Sequence, residues 1–154
     1  MKSTSKHLML AISLLTCASA TAAAQEKSVK MNALPPAVRA TVQEQSKGAR
    51  LRGLSMETEN GKTVYEAELF VSGHNKDLLI DAEGKIVEIE EQIAFNALPP
   101  ALQAGLRKLA GKGRIVLIES ITKADTLIAY EAHVRTAGKL TEIKVDPNGQ
   151  VVTP

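Results

Sequence analysis

Two hydrophobic periods alternate along this chain. Over LPPAVRATVQEQSKG and again over LPPALQAGLRKLAGKG, apolar residues recur at helical spacing, with Val38 and Val42 in the first stretch and Leu102, Leu106 and Leu109 in the second. A proline suits the first turn of a helix, where no amide partner is lost. Gly48 and Gly111 read as stops. Elsewhere the period is two. Tyr65, Ala67, Leu69 and Val71 alternate with Val64, Glu66, Glu68 and Phe70, and Ile128, Tyr130, Ala132 and Val134 alternate with Leu127, Ala129, Glu131, His133 and Arg135. Such runs predict strands with the first set of each pair facing a helix. Turn residues separate them: Asn60-Gly61, Ser72-Gly73 and Glu83-Gly84, then Ala124-Asp125, Ala137-Gly138 and Pro147-Asn148-Gly149.

The sextet NALPPA occurs at positions 32–37 and again, 64 residues on, at 96–101. With that offset Arg50 meets Arg114. With one residue more, Tyr65-Glu66-Ala67 meets Tyr130-Glu131-Ala132, Asp81 meets Asp146, and Gly84 meets Gly149. A one-residue length change falls at a hairpin tip, which tolerates it better than a strand does. The expected fold is therefore α+β: two tandem repeats, residues 25–92 and 93–154, each one helix packed on a four-stranded antiparallel meander. The two sheets should lie side by side or nearly continuous.

Lys2 and Lys6 ahead of the apolar run Leu8 to Leu15, too short to span a bilayer, predict a signal peptide over residues 1–24. Cleavage is expected before Gln25, after Ala22-Ala23-Ala24, with Ala20 as the alternative end. Cys17, the only cysteine, falls in that segment, and Thr16 before it disfavours lipidation. The exported chain should carry no disulfide. No membrane span is expected beyond the leader. Of 19 basic side chains, the leader holds Lys2 and Lys6, which leaves 17 to balance 17 acidic ones. Neutral charge and four mature-chain aromatics argue against a nucleic-acid partner. The halves differ, about −3 to position 92 and +3 after it, which suggests that they attract each other or that the molecule associates head to tail.

Catalytic chemistry is sparse: no HExxH, no phosphate loop, no mature cysteine, and only His74 and His133 beyond the leader. Glu131 and His133 could give a metal two ligands, short of a stable site, so no metal and no cofactor is expected. DAEG and DPNG read as hairpin turns rather than calcium loops. What remains is the sheet face turned away from the helices. It should present Glu66, Glu68 and Phe70 from one repeat and Glu131, His133 and Arg135 from the other, a mixed surface suited to a protein partner.

The LPP helix starts, the YEAEL and YEAHV strands, and the DAEGKIVEI and DPNGQVV endings resemble the PepSY-like domain, in tandem over the whole mature chain. That family is similar in fold to the β-lactamase-inhibitor proteins. The resemblance implies an exported, non-enzymatic protein that binds or restrains a partner, and no catalytic residues. The expected function is recognition of a protein partner, with inhibition of a hydrolase or protease as one form, through the open sheet face. The alternative is a periplasmic small-ligand or metal-binding protein.

Overall fold

The computed structural model describes residues 27–59 and 61–152. The expected signal peptide, its cleavage site and Cys17 lie outside those residues, as does Asn60 of the expected Asn60-Gly61 turn. Two helices, α1 (Pro36–Gln45) and α2 (Pro100–Ala110), pack on one antiparallel sheet of eight strands. The strands are β1 (Lys27–Ser28), β2 (Arg50–Glu59), β3 (Lys62–Val71), β4 (His74–Asp81), β5 (Ile86–Gln92), β6 (Arg114–Lys123), β7 (Thr126–Thr136) and β8 (Lys139–Val145), and their order in space is their order in sequence. The sheet is continuous because β5 pairs with β6, from Ile89 opposite Thr122 to Gln92 opposite Glu119.

Among the described residues, four strands follow α1 and three follow α2. Where a fourth was expected, the described residues show a single bridge, Val145 to Val151. The expected turn precedes it, with the Asp146 carboxylate accepting the backbone N–H groups of Asn148 and Gln150. The short β1, laid against Ser55 and Met56 of β2, is an element that the sequence pattern did not signal.

The repeated sextet spans a turn of 3-10 helix and the helix start. Pro35 and Pro99 sit just ahead of the first turn, and their carbonyls accept the N–H groups of Arg39 and Gln103. The leucine of each sextet is buried, so that Leu34, Val38 and Val42, and likewise Leu98, Leu102 and Leu106, form one stripe every four residues. The first stripe packs on Leu54, Ala67, Leu69, Leu78 and Ile80, the second on Ile118, Ala132, Val134 and Val145. Two expected core residues are not core. Leu109 is exposed because it lies off the four-residue stripe, and Ile128 is exposed because it extends past Tyr130, the last β7 residue paired with β8.

Candidate functional site

Strand alternation carries one face of the sheet, opposite both helices, across the β5–β6 seam, where Glu90 and Ile121 are register partners. This face is not the solvated surface that alternation alone suggests. Val64, Leu79, Ile121 and Ala129 on it are buried. The face also holds a hollow of about 560 Å³ bounded by residues of β2 and of β8 alike. Laid flat, those strands would be roughly 29 Å apart at about 4.8 Å per strand, so the sheet must curl strongly for both to meet one cavity.

The hollow is acidic. Glu57 comes from β2, Glu66 and Glu68 from β3, Asp77 from β4, Glu90 from β5, Glu119 from β6, Glu131 from β7 and Glu142 from β8. The cations among its walls are Arg52 and Lys144, with the His133 imidazole beside them. Several carboxyls sit directly opposite one another: Glu68 faces Asp77, Asp77 faces Glu90, and Glu119 faces Glu131. Like charges in such positions oppose folding.

The local geometry answers that repulsion in two ways. Some carboxyls are paired: His133 Nε2 lies 2.9 Å from Glu119 Oε2 and 3.4 Å from Glu131 Oε1, Lys144 Nζ lies 3.0 Å from Glu131 Oε2, and Ser55 Oγ donates to Glu66 at 3.0 Å. Others are pushed toward the protonated form. Burial, then the charges of Glu131, Glu88 and Glu119, push Glu90 up from 4.5 to about 8, against the pull of Lys144. Burial and the charges of Glu66, Glu119 and Glu68 likewise raise Asp77 from 3.8 to about 7, opposed by Arg52. Glu119 is raised by burial, though His133 offsets part of this. Burial works against the charge of Lys144, but Glu131, Glu90 and Glu88 outweigh it and the net shift is upward. A backbone device makes room at one wall: a Cβ on Gly53, beside the irregular pairing of β2, would come within 2.5 Å of Glu68 Oε1.

Of the six residues that the sequence singled out, four line the hollow: Glu66, Glu68, Glu131 and His133. Phe70 shares the face but lies outside the hollow, beneath Arg50, whose guanidinium carbon is 5.4 Å from the ring centre. Arg135 is exposed, opposite Leu140, and also outside the hollow. His133 is not the exposed residue expected from alternation, since its side chain retains 18% exposure among carboxylates. Asp77, Glu90 and Glu119 were missed, although their strands carry the same alternation, with Glu88 and Glu90 two residues apart.

No family model and no curated protein sequence matches the chain. Solved structures match its fold. A protein of Bacteroides eggerthii described as periplasmic is 13% identical, with 78% of this chain and 86% of that one covered at a TM-score of 0.61. A DUF2874 family protein of Bacteroides uniformis is 15% identical, covering 77% and 86% at 0.58. A BLIP-like protein of Bacteroides fragilis, also 15% identical, covers 78% and 84% at 0.53. These likenesses establish the α+β architecture of helices on one antiparallel sheet and broad similarity to a BLIP-like fold. Among the described residues, no helix is long and apolar enough to cross a membrane.

Proposed function

We propose that this chain is an exported, non-enzymatic binding protein that receives a basic protein segment in the acidic hollow of its sheet. The carrying observation is the accumulation of eight carboxyls from seven consecutive strands around one hollow, against Arg52, Lys144 and His133. Carboxyls placed opposite one another reduce stability, a cost that a cationic ligand would offset by its own charge. The breadth of the hollow favours an extended segment with several Lys or Arg side chains over a small molecule. Export follows from the leader pattern and accords with a neighbour described as periplasmic. The broad likeness to a BLIP-like protein accords with docking on another protein, of which inhibition of a hydrolase or protease is one form. We read the molecule as two copies of one helix-and-strand unit, joined at β5–β6.

The test is titration of the mature protein with a ten-residue Lys/Arg-rich peptide, its acidic counterpart and spermidine, at low and high salt. The basic peptide should bind, weaken as salt rises, and bind less tightly to Glu68→Gln and Glu66→Gln. Equal binding of the acidic peptide, or spermidine matching the basic peptide, would overturn the proposal.

A further inference from the structure

At the floor of the hollow, three side chains converge in a way that general acidity does not require. Glu119 of β6 and Glu131 and His133 of β7 each offer one donor atom, and the three atoms lie within 4.8 Å of one another. The side chains are 6%, 11% and 18% exposed. We propose that these three residues form a site for one divalent cation of the zinc class.

Two independent features point there. The first is the donor set and its spacing. Around a tetrahedral zinc with bonds of about 2.1 Å, neighbouring donors are roughly 3.4 Å apart; His133 Nε2 stands 2.9 Å from Glu119 Oε2 and 3.4 Å from Glu131 Oε1. A cation can enter between them after small side-chain movements. An imidazole nitrogen with two carboxylates suits zinc and its transition-metal neighbours, whereas calcium takes six to eight oxygens. The second feature is the surroundings. The contact of Nε2 with Glu119 Oε2 turns the imidazole toward the carboxylates, and Glu142 Oε1 adds negative charge 3.9 Å from Nδ1, the other ring nitrogen. Lys144 takes the other oxygen of Glu131, Oε2, which leaves Oε1 for the metal. Three protein donors would leave a fourth position open toward the hollow, for water or for a side chain of a bound molecule.

The site does not depend on the proposed basic partner, and its test uses metal alone. Chelator-treated mature protein would be titrated with Zn²⁺ by calorimetry while the two imidazoles of the mature chain, His74 and His133, are followed by NMR. One Zn²⁺ per chain should bind, shifting the His133 resonances and leaving those of His74 in place. His133→Gln and Glu119→Gln should each weaken binding at least tenfold, whereas Glu83→Gln, in the exposed β4–β5 turn, should leave it unchanged. Cobalt in place of zinc should give the visible absorption of a low-coordinate site. The proposal is overturned if Zn²⁺ at 100-fold excess over protein leaves His133 unshifted. It is equally overturned if Ca²⁺ binds as tightly or if His133→Gln keeps full affinity, since either marks unspecific attraction to carboxylates. The wild-type NMR arm decides the matter even if a variant fails to fold.

Discussion

Replacing Glu90 by Gln should make the protein more stable, and increasingly so as pH rises. Glu90 is half-buried on β5, opposite Asp77 on one side and Ile121 on the other. Burial and the charges of Glu131, Glu88 and Glu119 lift its pKa from 4.5 to about 8. The fold therefore holds a proton that the unfolded chain has released, so stability declines as pH rises above about 4.5 and levels off above about 8. Each unit of displacement is worth about 1.4 kcal/mol, which gives on the order of 5 kcal/mol at full ionisation and about 3 kcal/mol at pH 7. Side-chain rearrangement and entry of water reduce this, so a gain of about 2 kcal/mol is expected for Glu90→Gln at pH 8, falling to near zero at pH 4. Urea unfolding of both proteins from pH 4 to pH 9 measures it. The variant should retain a shallower decline from Asp77, whose pKa is raised to about 7. Equal pH slopes in the two proteins, or a variant weaker than wild type at pH 8, would refute the reasoning.

Four further substitutions probe other parts of the molecule. Val134→Ala, in the α2 core, should cost about 1–3 kcal/mol through lost burial and a residual cavity, whereas exposed Arg135→Ala should stay within about 0.5 kcal/mol; thermal unfolding of the pair checks the direction of both faces of β7. Gly84→Ala should cost about 2 kcal/mol or more, because Gly84 has φ +85° and a Cβ there would come within 2.8 Å of the Ala37 backbone, where the β4–β5 turn meets α1; denaturant unfolding reads this directly. Gly53→Ala should change stability by less than about 1 kcal/mol, since the clashing atoms belong to the mobile end of Glu68, yet weaken basic-peptide binding by displacing that carboxylate. Unchanged affinity would exclude Glu68 from the binding surface.

Local periodicity was enough to place both helices and to assign the faces of β3 and β7, because each signal lies within a few residues. Tyr65, Ala67, Leu69 and Val71 all belong to the α1 side, as their alternation implies. Long-range pairing was not legible in that way. The expected Ser72-Gly73 turn already implies Glu68 opposite Asp77, but Glu119 meets Glu131 on the neighbouring strand through a register shift between Ile121 and Thr122 that nothing local signals. Glu131 and His133 could be seen as two donors on one strand, and the third donor became visible only with the register of β6. The curl of the sheet was hidden for the same reason. It turns a surface that alternation marks as exposed into a hollow, and so separates Glu66, Glu68, Glu131 and His133 from Phe70 and Arg135, although all six share the face.

The seam between β5 and β6 explains why acidity accumulates where it does. The opposite net charges of the two halves suggested mutual attraction, yet at the seam the carboxyls of both halves come together: Glu88 and Glu90 from one, Glu119 and Glu131 from the other. One ion pair crosses it, Glu88 with Lys123 at 2.6 Å. Attraction between halves therefore does not hold the seam; its four backbone-paired positions, Ile89 to Gln92 with Glu119 to Thr122, do. Neither half alone carries the hollow, because β2 and β8 reach one cavity only when the sheet is continuous. The joining of the two sheets thus creates the concentration of charge, and loosening the β5–β6 pairing should disperse it and lower the pKa values of Asp77 and Glu90 toward the ordinary carboxylate range. Ile121→Asn, which puts a neutral polar side chain on the buried hollow side of the seam, provides the test: carboxyl resonances of Asp77 and Glu90 followed by NMR should titrate at lower pH in a variant that keeps both helices. Titration at unchanged or higher pH in such a variant would show that each half sets its own carboxyl environment.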